Sequence, residues 1–299
     1  MYYLAVDIGG TTFRSGAFDQ KLQCIGKSKI EYISDYKTRE RIIAAIISQV
    51  RLLYSKLRIN KEDILGVGIS CPGPLDIASG TILETPNLKE LANFHIKNEF
   101  NQLLGIPIYI NNDANLFSLG EWYSSFNDIN TLVGITLGTG LGFGVILNKE
   151  LYLGSHQMAA EYGISPNLNG GTWEDLVSIR YIHSLSKEMT NKIISPAELF
   201  SMAEEKDSVA LEIWDKFGYN LGVVISQVIN MLDPQVVTIG GGISHAYKYF
   251  YNSCEYQVSK HCPAFQKFKI KIVESKHKEE SSLLGAALMV KNKFNKELM

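Results

Sequence analysis

Three short apolar runs in this chain end on glycines, and no other feature narrows its fold as much. Tyr2–Ile8 runs into Gly9-Gly10-Thr11-Thr12. Thr131–Leu137 runs into Gly138-Thr139-Gly140-Leu141-Gly142, after which the chain is apolar again to Leu147. Gln235–Ile239 runs into Gly240-Gly241-Gly242-Ile243-Ser244. Short apolar runs bounded by turn residues read as buried strands. Glycines at their ends let the backbone turn tightly and bring its N–H groups up to an anion or a flat ring. Each turn alone has a plain reading as a glycine hairpin. The second is no dinucleotide fingerprint, because a strand and not a helix follows it. Three such turns, spread over both halves of the chain, are hard to explain as hairpins alone. In the first, Thr11 and Thr12 add hydroxyl donors, and Asp7 ends the strand where it can hold a water on Mg²⁺.

The rest of the pattern is alternation. Strands are predicted over 2–8, 12–18 and 23–32, then a helix over 37–57 with Ile42, Ile43, Ile46, Ile47, Val50 and Leu53 on one face. A strand over 64–70, a helix over 91–104 and a strand over 107–111 follow. The pattern then restarts: strands over 131–137 and 142–147, a helix-rich stretch over 173–232, a strand over 235–239, a helix over 246–259, a strand over 269–273 and a terminal helix over 282–294. This alternation predicts an α/β fold with largely parallel central sheets. The restart near residue 130 predicts two similar halves. With 299 residues the chain is long enough for two compact domains. The division reads as 1–115 with the terminal helix 282–299, and 116–281. No Pro- or Ser-rich linker separates them.

Composition removes several function classes. The formal net charge is −2, from 29 basic and 31 acidic residues, which gives no electrostatic reason to expect nucleic acid and does not exclude a local basic patch. Cys24, Cys71, Cys254 and Cys262 form no C-x-x-C pair, so neither a zinc ribbon nor a redox dithiol is expected, and they read as reduced thiols. Met1-Tyr2-Tyr3-Leu4 opens no signal peptide, and no apolar stretch reaches the roughly 18 residues of a spanning helix. A cytoplasmic protein without membrane or nucleic-acid partners is the expectation.

Read together, the motifs resemble those of a known superfamily. Asp7-Ile8-Gly9-Gly10-Thr11 resembles the phosphate-1 motif of the actin-like ATPases, which include the hexokinases. Leu137-Gly138-Thr139-Gly140 is similar to its phosphate-2 motif, and Ile239-Gly240-Gly241-Gly242 to its adenosine motif. Pro72-Gly73-Pro74-Leu75-Asp76, Thr85-Pro86-Asn87-Leu88, and Asn112-Asp113-Ala114-Asn115 with Leu119-Gly120-Glu121 narrow the resemblance to the ROK family of repressors, open reading frames and kinases. The matches run in family order from residue 4 to about 288. The resemblance implies two RNase-H-like domains with an active-site cleft between them, the terminal helix packing back on the first.

It also implies roles. Asp113 is the expected base that takes the proton of a sugar hydroxyl; by itself an Asp here reads as the N-cap of a helix starting near Ala114. Asn87 and Asn112 match family residues that bond sugar hydroxyls, although lone asparagines at strand ends are more often turn formers. Glu161, in Ala160-Glu161-Tyr162-Gly163, matches a sugar-contacting Glu, and Glu174 aligns with a second; the plain reading of Glu174 is a first-turn residue in a helix capped by Thr172. Gly9, Gly10, Thr11, Thr12, Gly138, Thr139, Gly140, Gly241 and Gly242 are the expected ATP contacts, with Asp7 meeting Mg²⁺ through water.

One departure stands out. Most ROK kinases hold a structural zinc with a His and three Cys. The His position here is Ile164, and Ser165-Pro166-Asn167-Leu168-Asn169-Gly170-Gly171-Thr172 has no cysteine. Zinc requires thiolate or imidazole ligands, so no zinc is expected. The leading expectation is an ATP- and Mg²⁺-dependent, glucokinase-like hexose kinase acting on the 6-hydroxyl, with an N-acetylmannosamine or other amino-sugar kinase as the alternative. A sugar-sensing transcriptional regulator is the alternative of another class. Such regulators carry an N-terminal helix-turn-helix domain, whereas the first strand here begins at Tyr2. An actin-like filament protein is opposed by the sugar motifs. A hexose or amino sugar is the expected partner, and a homodimer the expected assembly.

Overall fold

The computed structural model describes residues 1–83, 88–167, 170–277 and 280–297. The chain divides into two compact units. The first takes in Met1–Phe126, Leu151–Ala159 and Glu279–Met299, and the second Asn127–Glu150 and Ala160–Lys278.

In the first unit β1 (Tyr2–Ile8), β2 (Thr12–Phe18), β3 (Cys24–Lys27) and β4 (Glu31–Tyr32) precede helix α1 (Arg39–Lys56). Then come β5 (Ile64–Cys71), a small hairpin of β6 (Leu75–Asp76) and β7 (Thr81–Ile82), α2 (Ile96–Leu104), β8 (Ile108–Asn112) and α3 (Asp113–Ser125). The main sheet runs β3-β2-β1-β5-β8, with β4 also paired to β2. β1 is antiparallel to β2 and parallel to β5, which is parallel to β8. One face of β1 carries Leu4, Val6 and Ile8, which pack in a common core with α1 and α2. Successive side chains of a strand alternate in direction, so Tyr3, Ala5 and Asp7 share the opposite face. Covered central strands become near-continuous apolar runs, as the sequence of β1 is. The six apolar positions predicted for α1 are all buried, and the Thr38 hydroxyl caps it by accepting from Arg41 N.

The predicted strand over 23–32 is two strands. β3 pairs with β2 at Gly16–Phe18 and β4 pairs at Thr12–Phe13; between them regular pairing lapses, with Ser28 N donating to Ser15 O at 2.9 Å and Ser28 Oγ accepting from Ser15 N at 2.8 Å. The predicted helix over 91–104 begins later, at Ile96. Lys89–Leu91 is a single tight turn, and Phe94 bridges to Ile82 before α2 starts. Gly105, left-handed at φ 60°, ends it.

The second unit opens with the hairpin β9 (Leu132–Leu137) and β10 (Leu141–Leu147), followed by the short edge strand β11 (Glu150–Leu151). The helix-rich stretch resolves into α4 (Ile179–Thr190), α5 (Pro196–Glu204) and α6 (Ser208–Leu232). Ser195 caps α5, with Pro196 at its first position, and Asp207 caps α6. β12 (Val236–Gly240), α7 (Tyr247–His261), α8 (Pro263–Phe268) and β13 (Lys271–Glu274) complete the unit. Its sheet order is β11-β10-β9-β12-β13, again antiparallel for the first three strands and parallel thereafter. The two units therefore repeat one topology, as the sequence restart predicted. Helix α9 (Glu280–Glu297) belongs to the first unit, packing on α3, β1 and β5. The four cysteines are free. Among the described residues no helix is long and apolar enough to cross a membrane.

Candidate functional site

In the first unit the glycine turn joins β1 to β2. Gly9 N donates to Thr12 O at 2.8 Å, which closes the turn, and Ile33 N donates to Thr11 O at 2.9 Å from outside it. The antiparallel register sets Asp7 opposite Arg14. Arg14 Nη2 donates to Asp7 Oδ2 at 3.0 Å, and Ser70 Oγ, beside Asp7 on β5, donates to Oδ1 at 2.8 Å. Both carboxylate oxygens are thus oriented by neighbours, with the Asp7 side chain 20% exposed and that of Arg14 13%. Neither partner was named by the sequence reading. The hairpin itself held the signal for Arg14, since a strand pair closed at Gly9–Thr12 sets residues 7 and 14 opposite each other.

The Asn112-Asp113-Ala114-Asn115 motif is the corner where β8 becomes α3. Asn112 is the cap: its Oδ1 accepts from Ala114 N at 2.9 Å and from Asn115 N at 3.3 Å. The plain reading of Asp113 as N-cap is therefore taken by its neighbour, and Asp113 is the first residue of the helix. Its Oδ1 also accepts from Ala114 N, at 2.8 Å. Oδ1 of Asn112 is committed to the helix, and the donor of this side chain is its NH₂. Buried Asn111 braces the corner, its Oδ1 accepting from Asn112 N at 2.8 Å and from Asn115 Nδ2 at 3.0 Å. Cys71, at the end of β5, pairs in register with Asn112. Burial pushes the Cys71 thiol pKa well up, and the carboxylates of Asp113 and Asp7 push it further. Two acidic residues 106 positions apart in sequence thus flank the end of β5, Asp7 from β1 in register with Ser70 and Asp113 just after Asn112, which is in register with Cys71. Asn87 lies outside the described residues.

In the second unit two of the glycine turns meet. β12 lies beside β9, with Gly240 in register with Thr136. Gly241, at φ 84°, approaches the Leu137 backbone so closely that an added Cβ would stand 2.3 Å from Leu137 O. Beside Gly138 and Gly242, by contrast, a Cβ would meet nothing within 4 Å, so backbone there borders open space. Gly138 N donates to Gly140 O at 3.0 Å, and exposed Thr139 tops the turn. Glu174 reaches the same turn: its Oε2 accepts from Leu141 N at 3.0 Å, while Oε1 pairs with Arg180. Glu161 follows Ala160, a non-glycine residue in the left-handed region at φ 70°. Such strained residues cluster at functional sites. Burial of its carboxyl raises the Glu161 pKa and the Glu174 carboxylate adds to the rise, although the side chain as a whole is exposed. Ile164, at the family's His position, is 63% exposed in the short turn that follows. Leu168 and Asn169, in the segment where relatives carry zinc ligands, lie outside the described residues.

As a hard oxygen donor, Asp7 fits a magnesium ion that keeps its waters and otherwise binds phosphate. Among the described residues no group of three or more His, Cys, Asp and Glu is arranged to hold a metal by itself.

A family model described as "ROK family" matches residues 3–293. The N-acetyl-D-glucosamine kinase of Photobacterium profundum is 26% identical, over 97% of this chain and 99% of that protein. The glucokinase of Thermotoga maritima is 28% identical over 97% and 98%. A xylose repressor of Caldicellulosiruptor bescii is 26% identical over 84% of this chain and 69% of that protein. Among solved structures, a ROK family glucokinase from Streptomyces griseus in complex with glucose and AMPPNP superposes with a TM-score of 0.81. It is 23% identical over 98% of this chain and 100% of that one.

Proposed function

Because this chain belongs to the ROK family, we propose that it is an ATP-dependent sugar kinase, glucokinase-like, passing the γ-phosphoryl group to the 6-hydroxyl of a hexose. The observation that carries this reading is the placing of Asp7 on β1 and Asp113 after β8 on either side of the Ser70-Cys71 end of β5, with Asn112 and not Asp113 spent on capping α3. Phosphoryl transfer passes through a loose transition state, so orientation and charge neutralisation dominate. The Asp113 carboxylate accepts a hydrogen bond from the attacking hydroxyl, aims its lone pair at phosphorus, and takes the proton as the new O–P bond forms and ADP departs. In the first unit Asn87 and Asn112 are assigned to sugar hydroxyls, and in the second unit Glu161 is. In the second unit, backbone of the Gly138–Gly140 turn is assigned to phosphate and the backbone beside Gly242 to the nucleoside; in the first unit, the Gly9–Thr12 turn is assigned to phosphate. Magnesium, when bound, neutralises phosphate charge. Asp7, fixed by Arg14 and Ser70, is the residue that would hold it, through water.

An amino sugar is the second reading of the acceptor, favoured by Ile164 at the position where sugar-contacting imidazoles stand in relatives, and by the N-acetylglucosamine kinase relative. ADP release from ATP, measured with glucose, mannose, N-acetylglucosamine and N-acetylmannosamine in turn, tests the proposal. Turnover with one sugar and none without sugar is expected. Sugar binding without turnover would place this chain with the family's regulators.

A further inference from the structure

Gln49 is a polar residue on the apolar face of α1, 6% exposed and buried alongside Ile42, Ile46, Ile47, Val50 and Leu53. A buried amide is costly unless its groups are bonded. Here they are: Oε1 accepts from Ser15 Oγ at 2.8 Å, and Nε2 donates to Lys29 O at 3.1 Å and to Glu31 Oε1 at 2.7 Å. Glu31 Oε2 in turn accepts from Tyr36 OH. The Tyr36 ring lies 5.8 Å, centroid to centroid, from that of buried Phe13. Helix α1, strand β2 and the segment 29–36 are thus tied by one set of bonds, in which both carboxylate oxygens of Glu31 are spent.

What this network holds is the far limb of the first glycine turn. β4 has two residues, paired with Thr12 and Phe13, and Ile33 N donates to Thr11 O at 2.9 Å. So short an edge strand has little register of its own, and its place beside Thr11–Phe13 is set by its side chains. An aliphatic side chain at position 49 would fill the same core and fix no register; the bonded amide and carboxylate fix one. We infer that Glu31 is a positioning residue for the nucleotide, which clamps residues 31–33 against Thr11–Phe13 and so holds the Gly9–Thr12 turn in the shape that receives phosphate. It acts through the turn, without touching phosphate. The inference rests on the assignment of that turn to phosphate. Hydrogen bonds to a carboxylate are among the stronger ones, and their loss frees the limb to relax.

Calorimetric titration of the whole protein with Mg·AMPPNP, and separately with whichever of glucose, N-acetylglucosamine and N-acetylmannosamine binds the wild type, tests this. Glu31→Ala removes both acceptors and is expected to weaken Mg·AMPPNP about tenfold, while the sugar Kd stays within about twofold. Glu31→Gln keeps an acceptor for Gln49 Nε2 and turns its NH₂ to the Tyr36 oxygen, so it recovers most of that loss. Tyr36→Phe removes one hydroxyl and keeps the ring beside Phe13. It is expected to weaken Mg·AMPPNP about threefold, and it decides the matter if Glu31→Ala does not fold. An unchanged nucleotide Kd overturns the inference. So does equal weakening of nucleotide and sugar, which is a general loosening of the unit, and so does a Gln variant no better than the Ala variant. A wild-type chain that binds no nucleotide removes the kinase reading itself, and this inference with it.

Discussion

Gly241 stands against the backbone of Leu137, where a Cβ would lie 2.3 Å from the carbonyl oxygen and 2.6 Å from the amide nitrogen. Two glycine motifs a hundred residues apart in sequence are therefore one object, the shared end of the parallel pair β9 and β12. Gly241 also adopts φ 84°, a region that L side chains rarely enter. Gly241→Ala must push these strands apart and strain its own backbone. A loss of about 2–4 kcal/mol in stability is expected, read as a lowered denaturant midpoint, together with weakened nucleotide binding. Gly242→Ala, where open space borders the backbone, is expected to keep stability within about 1 kcal/mol. Equal effects of the two on stability would show that the contact with Leu137 does not matter.

Asp113→Asn is expected to fold as the wild type does, because the cap of α3 belongs to Asn112 and an amide oxygen at 113 can still accept from Ala114 N. Its kcat should fall about 10²–10⁴-fold, the range for loss of a general base. Sugar affinity should hold within a few-fold. Retention of near wild-type kcat in steady-state assays removes Asp113 from the role.

How far the sequence led can be judged from these residues. Asp7, Asp113 and the glycine turns were legible because each stands where a strand ends, and strand ends are marked by local pattern. Arg14 could have been reached by counting back across the hairpin closed at Gly9–Thr12, whereas Ser70 could not, because what makes it a partner of Asp7 is register with β5, which periodicity along one strand does not encode. The start of α2 was misplaced for a similar reason: Leu91 has helical spacing to the apolar residues after it, yet the Phe94–Ile82 bridge, a tertiary contact, delays the helix to Ile96. The topology repeated in the two units was legible as a restart of the pattern.

The raised pKa of Glu161 has a sign that can be checked. The unfolded chain releases this proton near about pH 4.3, while the folded chain keeps it to higher pH, so between the two values the folded state binds more protons. Stability from this group is therefore full at low pH and lost as pH rises through the folded value. Glu161→Gln removes the dependence. Its Tm should exceed that of the wild type slightly at pH 7, and the gap should close below about pH 4. Sugar KM should rise about tenfold at pH 7 if the carboxylate bonds a hydroxyl. A Tm gap that does not change between pH 4 and pH 8 contradicts the assignment.

From Glu161 to Ser178 the sequence contains neither His nor Cys. Zinc at this place would have to be held without imidazole or thiolate, which its chemistry does not favour. Protein purified without added metal is expected to carry no stoichiometric zinc by elemental analysis, and a chelator should leave its Tm unchanged.

The Asp7–Arg14 pair offers a test that does not depend on turnover. Facing each other across the β1–β2 hairpin and both mostly shielded from water, the two charges are coupled more strongly than a surface pair. Arg14→Ala removes the cation paired with Asp7 Oδ2, so it is expected to cost about 2–3 kcal/mol, within reach of the penalty for breaking a buried pair. Asp7→Asn removes the charge but keeps an acceptor for Ser70 Oγ, and should cost less. Once Asp7 is neutral, losing Arg14 matters less. The double variant should therefore be more stable than the sum of the two single losses by about 1–2 kcal/mol. Urea unfolding of the four proteins gives this coupling directly, and raising the salt concentration should shrink it only modestly, since shielded charges are screened less than exposed ones. Strictly additive losses would mean that the Arg14 charge does not act on Asp7, and that Arg14 is set there for another purpose.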